Sequence, residues 1–217
     1  YHFPASIQSY ENLVRMGEDP QKIWMTGCPS MDLVYDCPSK KELYIFIEKL
    51  CPGKIEVKDN YILILIHPLT DDSKESIDLI NKLDVVIKKF KEKKFIIISP
   101  NIDSGYYKVR KRLGNIFDKN IFFIESLPPE YFVSLIKYSS MCIGNSSSFL
   151  REAALLGIPS IILGNRQNGR EMGNNCTHLI NPSIENIMES IINKLKKGNI
   201  ELTLDLAKAI QVYKYQI

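Results

Sequence analysis

The chain has 217 residues, 45% hydrophobic and 24% charged, an ordinary globular composition with enough apolar residues for a sizeable core. Its formal charge of +3 is small, and its Lys and Arg are interspersed with acids, which argues against a nucleic-acid partner. No apolar run reaches the ~18 residues of a membrane span, and five cysteines without a Cys-x-x-Cys pair fit free thiols in a reducing cytoplasm. In chain order, the spacing predicts a helix over residues 6–16, stopped by Gly17, and a strand over 23–26. A second strand, 61–66, is apolar on both faces. Asp72-x-x-Glu75 resembles a capping signal for a helix running to about Lys94, with Ile77, Ile80, Leu83, Val86, Ile87 and Phe90 at helical spacing. Further strands are expected at 95–99, 121–124, 141–143 and 160–163. Helices are expected at 106–113, 129–138, 148–156, 184–196 and 202–213. This alternation predicts an α/β fold, one domain over 1–217 with a doubly wound parallel sheet. The start, Tyr1-His2-Phe3-Pro4, has no initiator Met and no signal-peptide pattern, and reads like the middle of a longer chain.

In such sheets ligands bind beyond the carboxyl ends of the strands, and the polar candidates all fall there. Gly144-Asn145-Ser146-Ser147 follows one strand and opens the 148–156 segment. A helix start leaves backbone N–H groups unpaired and carries roughly half a positive charge, so phosphate fits there, with Ser146 and Ser147 adding hydroxyls. Alone, the Ser triplet is equally a helix cap. Arg166, between Gly164 and Gly169 after another strand, favours phosphate, because its planar fork can clamp an anion through two bonds. Arg170 reads as either a second clamp or a surface charge. Glu152 reads as a favourable carboxylate near a helix start or as an acceptor for ribose hydroxyls. His67, restricted by Pro68, faces the same crevice and is the candidate for proton transfer or diphosphate contact. Asn101 is a turn residue or a ligand contact at its own strand end. No His or Cys spacing fits a metal site, and nothing calls for a cofactor.

At these residues the chain resembles the UDP-N-acetylglucosamine 2-epimerase family, in particular its hydrolysing branch. The matching pieces are His2-Phe3-Pro4, Met16-Gly17-Glu18-Asp19-Pro20, Thr26-Gly27-Cys28-Pro29, His67-Pro68-Leu69-Thr70 and Ser99-Pro100-Asn101-Ile102-Asp103, followed by Gly144-Asn145-Ser146-Ser147, Arg151-Glu152 and the segment from Gly164 to Glu171. They run in family order along most of the chain. At Ser126, before Leu127-Pro128, some relatives carry His.

The resemblance implies a Rossmann-like domain, the second half of a two-domain fold of the glycosyltransferase-B type, with the first domain absent here. It implies that Ser146, Ser147 and Arg166 hold a diphosphate, that Glu152 meets the nucleoside, and that His67 and Asn101 contact the ligand. The implied substrate is a UDP-sugar. The implied reaction is elimination of UDP from C1 as the C2 proton leaves, giving a glycal-like intermediate, then hydration to free N-acetylmannosamine for sialic-acid-type pathways. The main acidic catalytic residues belong to the absent domain, so the isolated chain is expected to be inactive. Two alternatives stay open: the donor-binding domain of a glycosyltransferase, and a non-catalytic sugar-nucleotide binding module. A homo-oligomer is left open as well.

Overall fold

The computed structural model describes residues 1–53, 56, 60–69 and 73–197. Asp72 of the capping signal, Thr70 and the helix expected over 202–213 lie outside them. Six strands, β1 (Tyr61–Leu65), β2 (Lys94–Ile98), β3 (Ile121–Ile124), β4 (Met141–Gly144), β5 (Ser160–Leu163) and β6 (Cys176–Leu179), form one sheet in the order β3-β2-β1-β4-β5-β6. Every pairing is parallel. The helices between them are α1 (Ile7–Arg15), α2 (Asp32–Tyr35), α3 (Lys40–Leu50), α4 (Ser73–Lys89), α5 (Tyr106–Gly114), α6 (Pro129–Lys137), α7 (Glu152–Leu155) and α8 (Ile184–Lys197).

Side-chain alternation within the strands decides the layering. Tyr61, Leu63 and Leu65 of β1 enter one buried cluster, while Ile62 and Ile64 enter another. β2 divides likewise, with Ile96 and Ile98 on the first side and Phe95 and Ile97 on the second. Runs apolar on both faces are what a covered parallel sheet requires. α3 and α6 cover the first face through Leu43, Ile47, Leu135 and Ile136. α4, α5 and α8 cover the second through Ile80, Leu83, Val109, Leu113 and Ile187. Ile80 and Leu83 of α4 are almost wholly buried, so truncating either to Ala costs about 2–5 kcal/mol. Tyr61 adds a polar tie, its hydroxyl donating to the Leu135 carbonyl at 2.8 Å.

Several elements differ from the sequence reading. Residues 23–26 are not a strand: Ile23 makes one isolated parallel bridge to His2, and the segment never reaches the sheet. The helix expected to run to about Lys94 ends at Lys89, because Lys94 already opens β2. The segment 148–156 is not one helix. A 3₁₀ turn over Ser147–Phe149 comes first, and α7 then holds only four residues. β6 lies at the sheet edge and is only half-buried, so its Cys-Thr-His-Leu sequence lacks the apolar signature of the central strands. α3 carries a capping box, with Ser39 Oγ accepting from the Glu42 N–H and the Ser39 N–H donating to Glu42 Oε2.

The strand order reverses direction between β1 and β4. Chain succession runs from β1 outward through β2 and β3, then resumes at β4 on the other side and runs through β5 and β6. Such a switch point leaves a crevice at the carboxyl ends of the two central strands.

Candidate functional site

β4 ends in a glycine for a steric reason. Gly144 has φ +149°, and a Cβ there would lie 1.9 Å from the Leu65 carbonyl oxygen and 2.7 Å from its carbon. Both atoms are backbone of the neighbouring strand and cannot yield. The bare backbone lets β4 run against the end of β1, and the Asn145 N–H donates to the Leu65 carbonyl at 3.1 Å.

Asn145 is fully buried and ties three strand ends together. Its side-chain Oδ1 accepts from the His67 backbone N–H at 2.7 Å, and its Nδ2 donates to the His67 carbonyl at 2.9 Å. Its own carbonyl accepts from Gln167 Nε2 at 2.7 Å and from Arg166 Nη1 at 3.2 Å. Ser76 Oγ of α4 also donates to the His67 carbonyl, at 3.2 Å. The loops after β1, β4 and β5 thus meet at one residue.

His67 is buried, and its ring is oriented from a fourth strand end. The Asn101 N–H, beyond β2, donates to His67 Nδ1 at 3.2 Å. That bond requires Nδ1 to be an acceptor, so the neutral ring carries its proton on Nε2. Desolvation, and then the charge of Arg166, lower the His67 pKa from 6.5 to about 4, with Asp103 opposing them. At pH 7 the ring is a neutral hydrogen-bond donor through Nε2. The Asn101 side chain is exposed, and its backbone, not its amide, makes the described contact.

Ser146 and Ser147 take different places. Ser146 is buried and its Oγ accepts from the Ser148 N–H at 3.3 Å, so it performs the capping role. Ser147 is half-buried, and its Oγ accepts from Arg151 Nη2 at 3.4 Å. A three-residue 3₁₀ turn and a four-residue helix align few peptide dipoles, so the axial field expected of a longer helix is weaker here. The cations on hand are Arg151, paired with Ser147, and Arg166, at the Asn145 carbonyl.

Arg166 is half-buried. Burial, then repulsion from Arg170, hold its guanidinium below the usual arginine range, with Asp103 opposing. Its loop is anchored on the far side, where Glu75 Oε1 accepts from the Asn165 N–H at 2.8 Å and His178 Nε2 meets the Gly164 carbonyl at 2.8 Å. Arg170 itself is exposed.

Glu152 opens α7 and is buried to 5% exposure. Desolvation pushes its carboxyl above the usual range, while Arg151 and the hydroxyls of Ser30 and Ser148 pull it back. Among the described residues its Oε2 is buried without a hydrogen-bond partner, with Arg151 Nε 3.8 Å away. A buried acceptor left unpaired is costly. A cleft of about 360 Å³, lined by Ser6, Ser9, Cys28, Ser147, Arg151 and Arg170, opens between α1 and the Ser147 turn.

His67, the Asn101 backbone and Arg166 therefore meet at the switch point, whereas Ser147 pairs with Arg151 and lines the cleft beside α1, and Glu152 opens the next turn. Sequence reasoning missed Asn145 and Gln167. Asn145 was visible only as part of a Gly-Asn turn, and Gln167 only as one letter of an arginine loop. Nothing local signals that both are fully buried.

A family model described as UDP-N-acetylglucosamine 2-epimerase matches residues 1–214. The chain is 29% identical over 210 residues to a UDP-N-acetylglucosamine 2-epimerase of Neisseria meningitidis serogroup B, covering 92% of this chain and 51% of the relative. It is 26% identical over 203 residues to a hydrolysing UDP-N,N'-diacetylbacillosamine 2-epimerase of Legionella pneumophila, covering 93% and 52%. Its fold is similar to that of a Neisseria meningitidis UDP-GlcNAc 2-epimerase solved with UDP-GlcNAc bound, with a TM-score of 0.70, 21% identity, and coverage of 98% of this chain and 59% of that one. The chain spans about half the length of the curated relatives it matches.

Proposed function

The chain belongs to the UDP-N-acetylglucosamine 2-epimerase family, and we propose that it is the nucleotide-binding half of a hydrolysing member. The observation that carries this reading is the meeting of His67 and Arg166 at Asn145, in the crevice between β1 and β4, with Ser147 two residues further along the same turn.

In this reading a UDP-sugar lies with its diphosphate across the Ser146-Ser147 turn. Arg166 clamps the phosphate oxygens, and Nε2–H of His67 donates to one of them. Glu152 accepts from the ribose hydroxyls with its unpaired Oε2, and Asn101 reaches the ligand from the β2 end. Negative charge grows on the diphosphate as the C1–O bond breaks, and these donors stabilise it where it develops. The C2 proton leaves to a carboxylate supplied by the other half of the protein. Water then adds across the C1–C2 double bond, giving UDP and the free 2-epimeric sugar. The relative that hydrolyses UDP-N,N'-diacetylbacillosamine supports the hydrolysing outcome, with N-acetylmannosamine or a related amino sugar as product.

Calorimetric titration with UDP tests the reading. Arg166→Ala should weaken binding by about 1.5–3 kcal/mol, the range for a hydrogen bond to a charged group; equal affinity in both proteins removes the clamp. Product analysis of the whole enzyme should show free sugar and UDP. The 217-residue chain by itself should bind UDP weakly and release no epimer.

A further inference from the structure

Gln167 is fully buried and has no place in the ligand reading above. Its Nε2 makes the shortest bond to the Asn145 carbonyl, 2.7 Å, against 3.2 Å for Arg166 Nη1. Only a donor can face a carbonyl, so the orientation of this amide is fixed by its partner. The other end, Oε1, is buried and has no hydrogen-bond partner among the described residues. An orphaned acceptor is costly, so the side chain is held here for what its nitrogen does.

The Asn145 carbonyl cannot move to find other partners. The Asn145 side chain is committed at both ends to His67, and the Asn145 N–H to Leu65. Arg166, by contrast, sits on a loop and is half-buried, beside a second guanidinium. The two donors share one oxygen, which has two lone pairs. Where the Nη1 edge of its fork turns to a phosphate, Arg166 gives up that oxygen.

We infer that Gln167 is a positioning residue for Arg166: it keeps the buried Asn145 carbonyl satisfied, so that the guanidinium can pass from that carbonyl to the diphosphate without stranding an acceptor. The inference rests on the reading of Arg166 as the diphosphate clamp. Gln167 touches no ligand; it lowers the cost of the exchange that binding demands.

A double-mutant cycle read by UDP titration tests it. Gln167→Met removes the donor at similar volume. The single variant should bind UDP roughly tenfold more weakly, the effect of leaving one buried acceptor unpaired in the bound state. In an Arg166→Ala background, Gln167→Met should change affinity less than twofold, because the exchange no longer occurs. A merely structural role would lower affinity equally in both backgrounds, and that result, or no loss in the single variant, overturns the inference. Should Gln167→Met fail to fold, Gln167→Glu takes its place in the cycle: its carboxylate cannot donate to the carbonyl at pH 7 and pairs with Arg166 instead, so it too should weaken UDP only while Arg166 is present. If Arg166→Ala alone binds UDP as well as the unaltered protein, the clamp itself has failed. If Arg166→Ala weakens binding and the Gln167 variants do not, the clamp stands and only the role of Gln167 falls.

Discussion

Asn145 stands beside His67 as a strand residue would, giving one bond to its carbonyl and accepting one from its N–H, at 2.9 and 2.7 Å. A side chain here extends the β1–β4 pairing past the point where the two backbones part. Asn145→Ala leaves the His67 N–H buried without its partner, while the carbonyl keeps Ser76 Oγ. The expected loss is about 1–3 kcal/mol of folding stability, measured by urea unfolding. An unchanged midpoint would mean that the pair adds nothing.

The histidine makes stability depend on acid. Unfolded, the ring gains its proton near pH 6.5; folded, it does so near pH 4, because burial and Arg166 oppose the charge. The lowered pKa means that the unfolded chain binds the extra proton first. The contribution is complete above pH 6.5 and is lost as pH falls from there to 4, amounting to ~3 kcal/mol across that window. Ring NMR should show a neutral Nε2–H tautomer at pH 7 and a midpoint near 4. His67→Gln should flatten the stability slope between those pH values, and an unaltered slope would assign it to other groups.

Glu152 should separate stability from binding. Its carboxyl is raised by desolvation, so ionising it at pH 7 weakens the folded state. Glu152→Gln removes the buried charge at the same shape. Thermal unfolding should move up or stay level, while UDP affinity falls by about 1.5–3 kcal/mol through loss of a charged acceptor. A variant that binds UDP normally would remove Glu152 from the ribose.

The central strands were legible because their residues are apolar on both faces, a pattern with one structural solution. β5 matches its expected residues at both ends, and β1, β2 and β4 differ by a residue or so. Residues 23–26 misled because a short apolar run looks the same whether or not a neighbour strand reaches it. β6 was invisible for the opposite reason: an edge strand has little apolar side to show. At the site, His67, Asn101, Ser147 and Arg166 could be read because each follows a recognisable strand. Asn145 and Gln167 could not, since a buried amide is defined by its partners, and those lie 78 and 22 residues away. The 148–156 segment shows the limit of capping rules. Ser146 does cap, but the turn it opens is 3₁₀, and hydroxyl residues favour both.

The bonds that assemble the crevice span 78, 34 and 22 residues of sequence. Each can close only once the two strands that carry its ends have docked, and the full set needs β1, β2, β4 and β5 together, since the entropy of closing long loops is met before such contacts reward it. A partly folded chain thus owns strands and helices but no seat for an anion. A nucleotide bound as proposed would recognise only the finished state and raise its population by mass action, and so would act as a late quality check on newly made protein.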